Sequence, residues 1–322
     1  MAAISRLLHV LTKKMFPFWE RMGVHVTPVH FYEPVPDTRE LRSDIWSRTS
    51  ALVGIDLAEA RQLLLLADFR DTFKAECDAL PLDPTDDPRD FYYRNDTFGW
   101  VDAAILHCVL RYFKPRTICE IGSGFSTLLT ARALAANRTE DPGYECDVLA
   151  IDPFPADALK AAVSGSVRFR ETGVQDVSLT EFEKLRAGDV LFIDSSHVLK
   201  TGSDVQWIYL EILPRLAPGV LIHAHDIFLP REYPERWLKA DHRFWNEQYV
   251  LQAFLSFNSE FEVLLSAALL HLRHSDTLAQ SFAIYHPSHE SPGSFWFRRR
   301  LEDDPALRPT PANGLIWAGR NQ

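Results

Sequence analysis

Beyond about residue 115 the chain alternates short runs of β-branched and aliphatic residues with stretches whose apolar positions recur every three or four residues. The runs predict strands at Thr117 to Ile121, Val148 to Ile151, Val167 to Arg170, Val190 to Ile193 and Val220 to His223. Between them, Ser126 to Ala136, Ala156 to Val163, Leu179 to Leu185 and Asp204 to Leu216 predict helices. This βαβαβ rhythm implies an α/β fold with a doubly wound, mainly parallel sheet covered by helices on both faces. Asn246 to Phe257 reads as a further helix, Phe261 to Leu265 as a strand and Gly293 to Arg298 as a last strand, while Ser266 to Pro292 has no clear period.

The front of the chain is patterned differently. From Asp56 to Leu80, Leu57, Leu63, Leu64, Leu66, Phe69 and Phe73 fall mostly at helical intervals, and the Asp- and Pro-rich segment from Pro81 to Pro88 then breaks the pattern. Pro28, Pro34 and Pro36 among aromatic residues suit an extended segment. We therefore expect a helical and extended accessory region over 1–95, a sheet domain over 96–300 and a tail over 301–322. In Met1 to Gly23, Arg6, Lys13, Lys14 and Arg21 surround a broken apolar series. That segment reads as an amphipathic helix docked on the fold, with a membrane-surface contact as the alternative. The longest apolar run elsewhere, Val263 to Leu270, falls far short of the roughly 18 to 20 residues that cross a bilayer, so no transmembrane segment is expected. Cys77, Cys108, Cys119 and Cys146 form no CxxC pair, which fits reduced thiols and a cytoplasmic location.

Charge narrows the partners. Thirty-four Lys and Arg against 44 Asp and Glu give a net charge of -10 over 322 residues, a balance that repels polyanions and makes nucleic acid an unexpected partner. Some of those acids are informatively placed. In an open α/β sheet, ligands bind beyond the carboxyl ends of the strands. Four predicted strands run from apolar residues into acid or imidazole there: Glu120, Asp152, Asp194, and His225 with Asp226. One such acid is ordinarily a helix cap; all four in phase favour a ligand site.

The first strand leads into Glu120-Ile121-Gly122-Ser123-Gly124-Phe125-Ser126-Thr127. Two glycines allow a tight turn and a close approach of backbone to ligand. A dinucleotide fingerprint places a third glycine where Thr127 stands, which disfavours a pyrophosphate cofactor. Together with Asp152, Gly173-Val174-Gln175-Asp176 and the segment from Asp189 to His197, the motif resembles the ordered motifs of class I S-adenosylmethionine-dependent methyltransferases, over about residues 95 to 300. Ile193-Asp194-Ser195-Ser196-His197 is similar to the Asp-Gly-Ser-His signature of the branch containing metal-dependent sugar and small-molecule O-methyltransferases.

That resemblance implies a Rossmann-like sheet binding S-adenosyl-L-methionine, with Gly122, Ser123 and Gly124 along its methionine part and Glu120 at its ammonium. It implies Asp152 at the ribose hydroxyls and Val174, Gln175 and Asp176 around the adenine. It further implies O-methylation of a small-molecule or sugar-like acceptor, with Asp194 and His197 catalytic and His197 as general base. A divalent metal would be held by Asp194, His225 and Asp226. Here the sequence departs from the all-acid pattern: His225 is a poor ligand for magnesium. Three readings stay open: a nitrogen-tolerant ion such as manganese or iron, magnesium on the two aspartates and water, or no metal with a histidine base. The sequence also leaves two other functions standing, a nucleotide-linked oxidoreductase or sugar-nucleotide enzyme, and a non-catalytic methyltransferase-like binding protein.

Overall fold

The computed structural model describes residues 11–289 and 291–301. The expected tail beyond residue 301 and the first ten residues of the amphipathic segment lie outside the described residues. The chain forms two compact units, one of residues 1–49 with 231–244 and the other of 50–230 with 245–322.

The larger unit is built on a seven-stranded sheet: β1 (Thr117–Ile121), β2 (Asp147–Ile151), β3 (Arg168–Arg170), β4 (Val190–Ile193), β5 (Leu221–Ala224), β6 (Phe261–Ser266) and β7 (Phe295–Arg299). Its order is β3-β2-β1-β4-β5-β7-β6, with β1 to β5 parallel and β7 antiparallel to both its neighbours. The fold is therefore the expected Rossmann-like α/β sheet, with one antiparallel strand inserted near an edge. Strand order reverses between β1 and β4, and such a switch point opens a crevice at the carboxyl ends of these two strands.

Both faces of the sheet are buried, which is why its strands read as near-continuous apolar runs. Ile118, Val148, Ala150, Val190 and Phe192 face a core shared with α1 (Glu59–Asp78), α2 (Trp100–Phe113) and α3 (Phe125–Glu140). Cys119, Ile121, Leu191 and Ile193 face the segment from Ile208 to Leu216 and α4 (Glu247–Leu255). Helix α1 contributes Leu66, Phe69 and Phe73 to the sheet's own core, and the compact unit that holds both runs from Ser50. The stretch without a clear period, 266–292, contains α5 (Ala267–Arg273) and α6 (Ser275–Ser281). Ser266 ends β6 and caps α5 through its hydroxyl, so strand passes into helix without a loop.

In the smaller unit, Phe16–Arg21 forms a short helix that buries none of its side chains. No helix among the described residues is long and apolar enough to cross a membrane.

Candidate functional site

The turn after β1 is dictated by crowding. Gly122 donates its N–H to the Ile151 carbonyl, and the Asp194 N–H donates to Ile121, so the ends of β2 and β4 close on this glycine from both sides. Gly122 has φ +87°, and a Cβ there would lie 1.9 Å from the Asp194 carbonyl oxygen. Thr127, fully buried, caps the start of α3 by accepting the Gly124 N–H at 3.0 Å. The residue standing where a third glycine would open pyrophosphate room is thus committed to holding the turn.

Glu120 points to the α3 face of the sheet and is 1% exposed. Ser126 donates to its Oε1 at 2.5 Å, whereas Oε2 is buried without any hydrogen-bond partner. Burial pushes its carboxyl up to about 8, against the pull of Ser126 and Thr127. A buried carboxylate oxygen with nothing to accept from is costly, and a ligand ammonium would relieve it. Asp152 is held by two donors, Ser123 Oγ at 2.7 Å and the Phe154 N–H at 2.7 Å.

A cleft of about 470 Å³ joins Gly122, Asp152, Val174, Gln175, Asp194 and Ser195. Gln175 donates to the Gly202 carbonyl at 3.0 Å, and the Ser195 hydroxyl is buried without a partner. Ser123 and Gly124 open instead onto an adjacent pocket of about 400 Å³ with Tyr92, Phe125 and Leu159. Asp176 is exposed in the 3-10 turn Val174–Asp176 and does not line the cleft. Asp189, at the other end of β4, accepts the backbone N–H groups of Arg116, Thr117 and Arg186, a purely structural duty.

Beside the cleft, the ends of β4 and β5 gather the other predicted residues. Asp194 Oδ1 lies 3.3 Å from His197 Nε2 and 3.3 Å from His225 Nδ1. Asp226 Oδ2 lies 3.7 Å from His197 Nε2 and 3.6 Å from His225 Nδ1. Both His197 (φ +59°) and Asp226 (φ +57°) adopt left-handed backbone, a strained state for non-glycine residues that clusters at functional sites. Burial opposes ionisation of Asp194, yet His225 and His197 hold its carboxyl well below the usual range. Burial likewise disfavours charge on His197, but Asp194 and Glu247 outweigh it and raise the ring to about 10. His225 is raised well above its ordinary value by Asp226 and Asp194 despite burial, and burial raises Asp226.

Among the described residues, Asp194, His197 and His225 each offer one donor atom to a common point, with Asp194 Oδ1 3.3 Å from both ring nitrogens. Donors about 2.1 Å from a cation lie roughly 3.0 to 3.4 Å apart in octahedral or tetrahedral arrangement. Asp226, an expected ligand, lies farther out at 3.6 and 3.7 Å and is not part of that group. Two imidazoles and one carboxylate suit manganese, iron, cobalt or zinc better than magnesium, so these residues fit a nitrogen-accepting divalent ion.

The sequence marks Glu247 among polar residues opening a helix that could face the acceptor, but neither its meeting with His197 nor the presence of Asp102 was expected. Glu247, fully buried at the start of α4, lies with Oε2 2.8 Å from His197 Nδ1 and accepts the Tyr209 hydroxyl at 3.1 Å. Asp102, in the first turn of α2, lies 3.7 Å from His225 Nε2 and accepts the N–H groups of Gly293 and Ser294. A buried carboxylate near a helix start was the only sequence signal for either. His223, one strand position inward, pairs with Ser294 and stacks on Phe192; burial lowers it well below its ordinary value, as befits a core residue. The loop after β5 begins with Ile227, Phe228 and Leu229, all buried.

Comparison with known proteins gives three findings. Residues 119–227 match a family model described as a methyltransferase domain. The chain is 31% identical over 175 residues to an uncharacterized protein of Archaeoglobus fulgidus, a match that spans 51% of this chain and 75% of that protein. A solved structure of a "putative methyltransferase" from Thermobifida fusca YX aligns with a TM-score of 0.33 and 12% identity, covering 80% of this chain and 97% of the other.

Proposed function

We propose that this chain, whose residues 119–227 match a methyltransferase-domain model, transfers the methyl group of S-adenosylmethionine to a hydroxyl oxygen of a small or sugar-like acceptor. The observation that carries the reading is that Asp194 belongs both to the cleft of Gly122 and Asp152 and to the histidine and carboxylate cluster. A cofactor site and a proton-accepting site thereby share a wall.

Glu120 Oε2 would take the ammonium, Asp152 the ribose hydroxyls, and Val174 and Gln175 would border the adenine. S-adenosylmethionine supplies an electrophilic methyl group. In the transfer the acceptor oxygen gains the carbon, the sulfur keeps the electron pair of the broken C–S bond, and the hydroxyl proton leaves. His197 Nε2 faces the cluster and is the base that receives that proton when its lone pair is free. The spacing of Asp194, His197 and His225 favours a second arrangement, in which these residues hold a divalent ion. Such an ion supplies Lewis acidity that lowers the hydroxyl's pKa.

Calorimetric titration tests the cofactor. S-adenosylhomocysteine should bind at one site per chain while NAD gives no heat; tight NAD binding with no response to S-adenosylhomocysteine would overturn the proposal.

A further inference from the structure

Whether His197 serves as base or as ligand, only one of its ring nitrogens can do the work, and the chain must decide which. Several contacts converge on that choice. The His197 carbonyl accepts the N–H groups of Asn246 and Glu247 at 3.1 and 3.2 Å, which clamps its strained backbone to the start of α4. The Trp245 ring lies over the imidazole, with centroids 4.3 Å apart. Glu247 Oε2 meets Nδ1 at 2.8 Å, while Oε1 is engaged by the Tyr209 hydroxyl. Tyr209 itself sits in the π-helical turn Ile208–Ile212, a widening of the helix that frequently marks functional positions. Both Glu247 and Tyr209 are sealed from solvent, so no water competes for these bonds.

We infer that Glu247, braced by Tyr209, is a positioning residue that keeps a proton on His197 Nδ1 and so presents Nε2, as a lone pair when the ring is neutral, to Asp194 and the acceptor. Carboxylates can only accept, so both nitrogens donate in the protonated ring, and Glu247 at 2.8 Å, closer than Asp194 at 3.3 Å, retains its proton when one is given up. Nε2 then points at Asp194 Oδ1, 3.3 Å away, and is the nitrogen that takes a hydroxyl proton or binds an ion. Histidines that hold metals are commonly fixed through the opposite nitrogen in this way, and losing the partner costs about 10- to 100-fold in metal affinity or activity. Asp102 stands in the corresponding place behind His225, at 3.7 Å.

The inference rests on the proposed reacting cluster, and its test separates the two. Proton NMR of ¹⁵N-histidine-labelled protein should show a downfield, slowly exchanging proton on His197 Nδ1, retained in Tyr209→Phe and lost or moved upfield in Glu247→Gln. Titration with Co²⁺ alone, followed by its visible absorption, should give 10- to 100-fold weaker binding in Glu247→Gln. Thermal melting of each variant establishes that it is folded. A wild type that shows the Nδ1 proton but binds no Co²⁺ would remove the metal and leave the positioning role standing. A wild type without that proton, or a folded Glu247→Gln that keeps both the proton and the wild-type Co²⁺ affinity, would overturn the inference.

Discussion

Replacing Glu120 by Gln should strengthen the ligand-free protein in alkaline solution while weakening its hold on the cofactor. The carboxyl is buried, one oxygen lacks a partner, and its pKa stands at about 8 against an ordinary 4.5. Each unit of that rise makes the ionised form less favourable by about 1.4 kcal/mol, so ionisation in the empty site costs on the order of 4 to 5 kcal/mol. The sign follows from proton counting. Between pH 4.5 and 8 the folded state binds more protons than the unfolded one, so stability falls as pH rises through that window and levels off above it. Glu120→Gln lacks this component. Its urea midpoint should match the wild type near pH 5 and exceed it by pH 9, by an amount reduced by whatever the amide N–H₂ leaves unpaired. With S-adenosylhomocysteine the order reverses: a hydrogen bond to a charged group contributes about 1.5 to 3 kcal/mol, so the variant should bind roughly 10- to 150-fold more weakly. Urea melts at the two pH values and calorimetry at pH 8 read both effects. Unchanged cofactor affinity together with unchanged pH dependence would refute the assignment of Glu120 to the ammonium.

Further consequences can be measured on the same protein. Gly122→Ala should destabilise by about 2 to 4 kcal/mol in urea melts, because its Cβ would collide with the Asp194 carbonyl from a left-handed backbone. Manganese or cobalt at 100 times its Kd should stabilise the wild type by about 2.7 kcal/mol and raise the melting temperature by several degrees, and Asp194→Asn should abolish most of that response. Magnesium should do less at equal concentration, because it prefers all-oxygen shells. Cobalt affinity should fall as pH is lowered, because the carboxylates around His197 and His225 favour the protonated rings and the ion must compete with those protons. Calorimetry in buffers of different ionisation enthalpy would register the released protons; a cobalt affinity independent of pH would contradict the ligand set.

The parts of this site that were legible in the sequence are those governed by local period. Glu120 is the penultimate residue of β1, Asp152, Asp194 and His225 each follow an apolar strand directly, and β1 to β5 begin and end within a residue or so of their predicted limits. What stayed hidden depends on long-range closure. Glu247 reaches His197 across fifty residues, and Asp102 reaches the β7 approach at Gly293 and Ser294 from the far side of the chain. Helix α2 was not among the expected elements, and every residue from Val101 to Arg111 is buried, the polar Asp102, His107 and Arg111 included. The apolar run from Val263 to Leu270 straddles β6 and α5, and periodicity could not divide it. The insertion of β7 between β5 and β6 is a matter of pairing, which no local pattern encodes.

If a methyl donor in the Gly122 and Asp152 cleft meets its acceptor at the wall formed by Asp194, mass spectrometry after incubation with methyl-labelled S-adenosylmethionine and a metabolite extract of the host should find a labelled product. That product should carry one labelled methyl group on oxygen, be matched by an equal amount of S-adenosylhomocysteine and be lost in Asp194→Asn. An extract that yields neither labelled product nor S-adenosylhomocysteine above the protein-free control, or a product formed undiminished by Asp194→Asn, would contradict that arrangement.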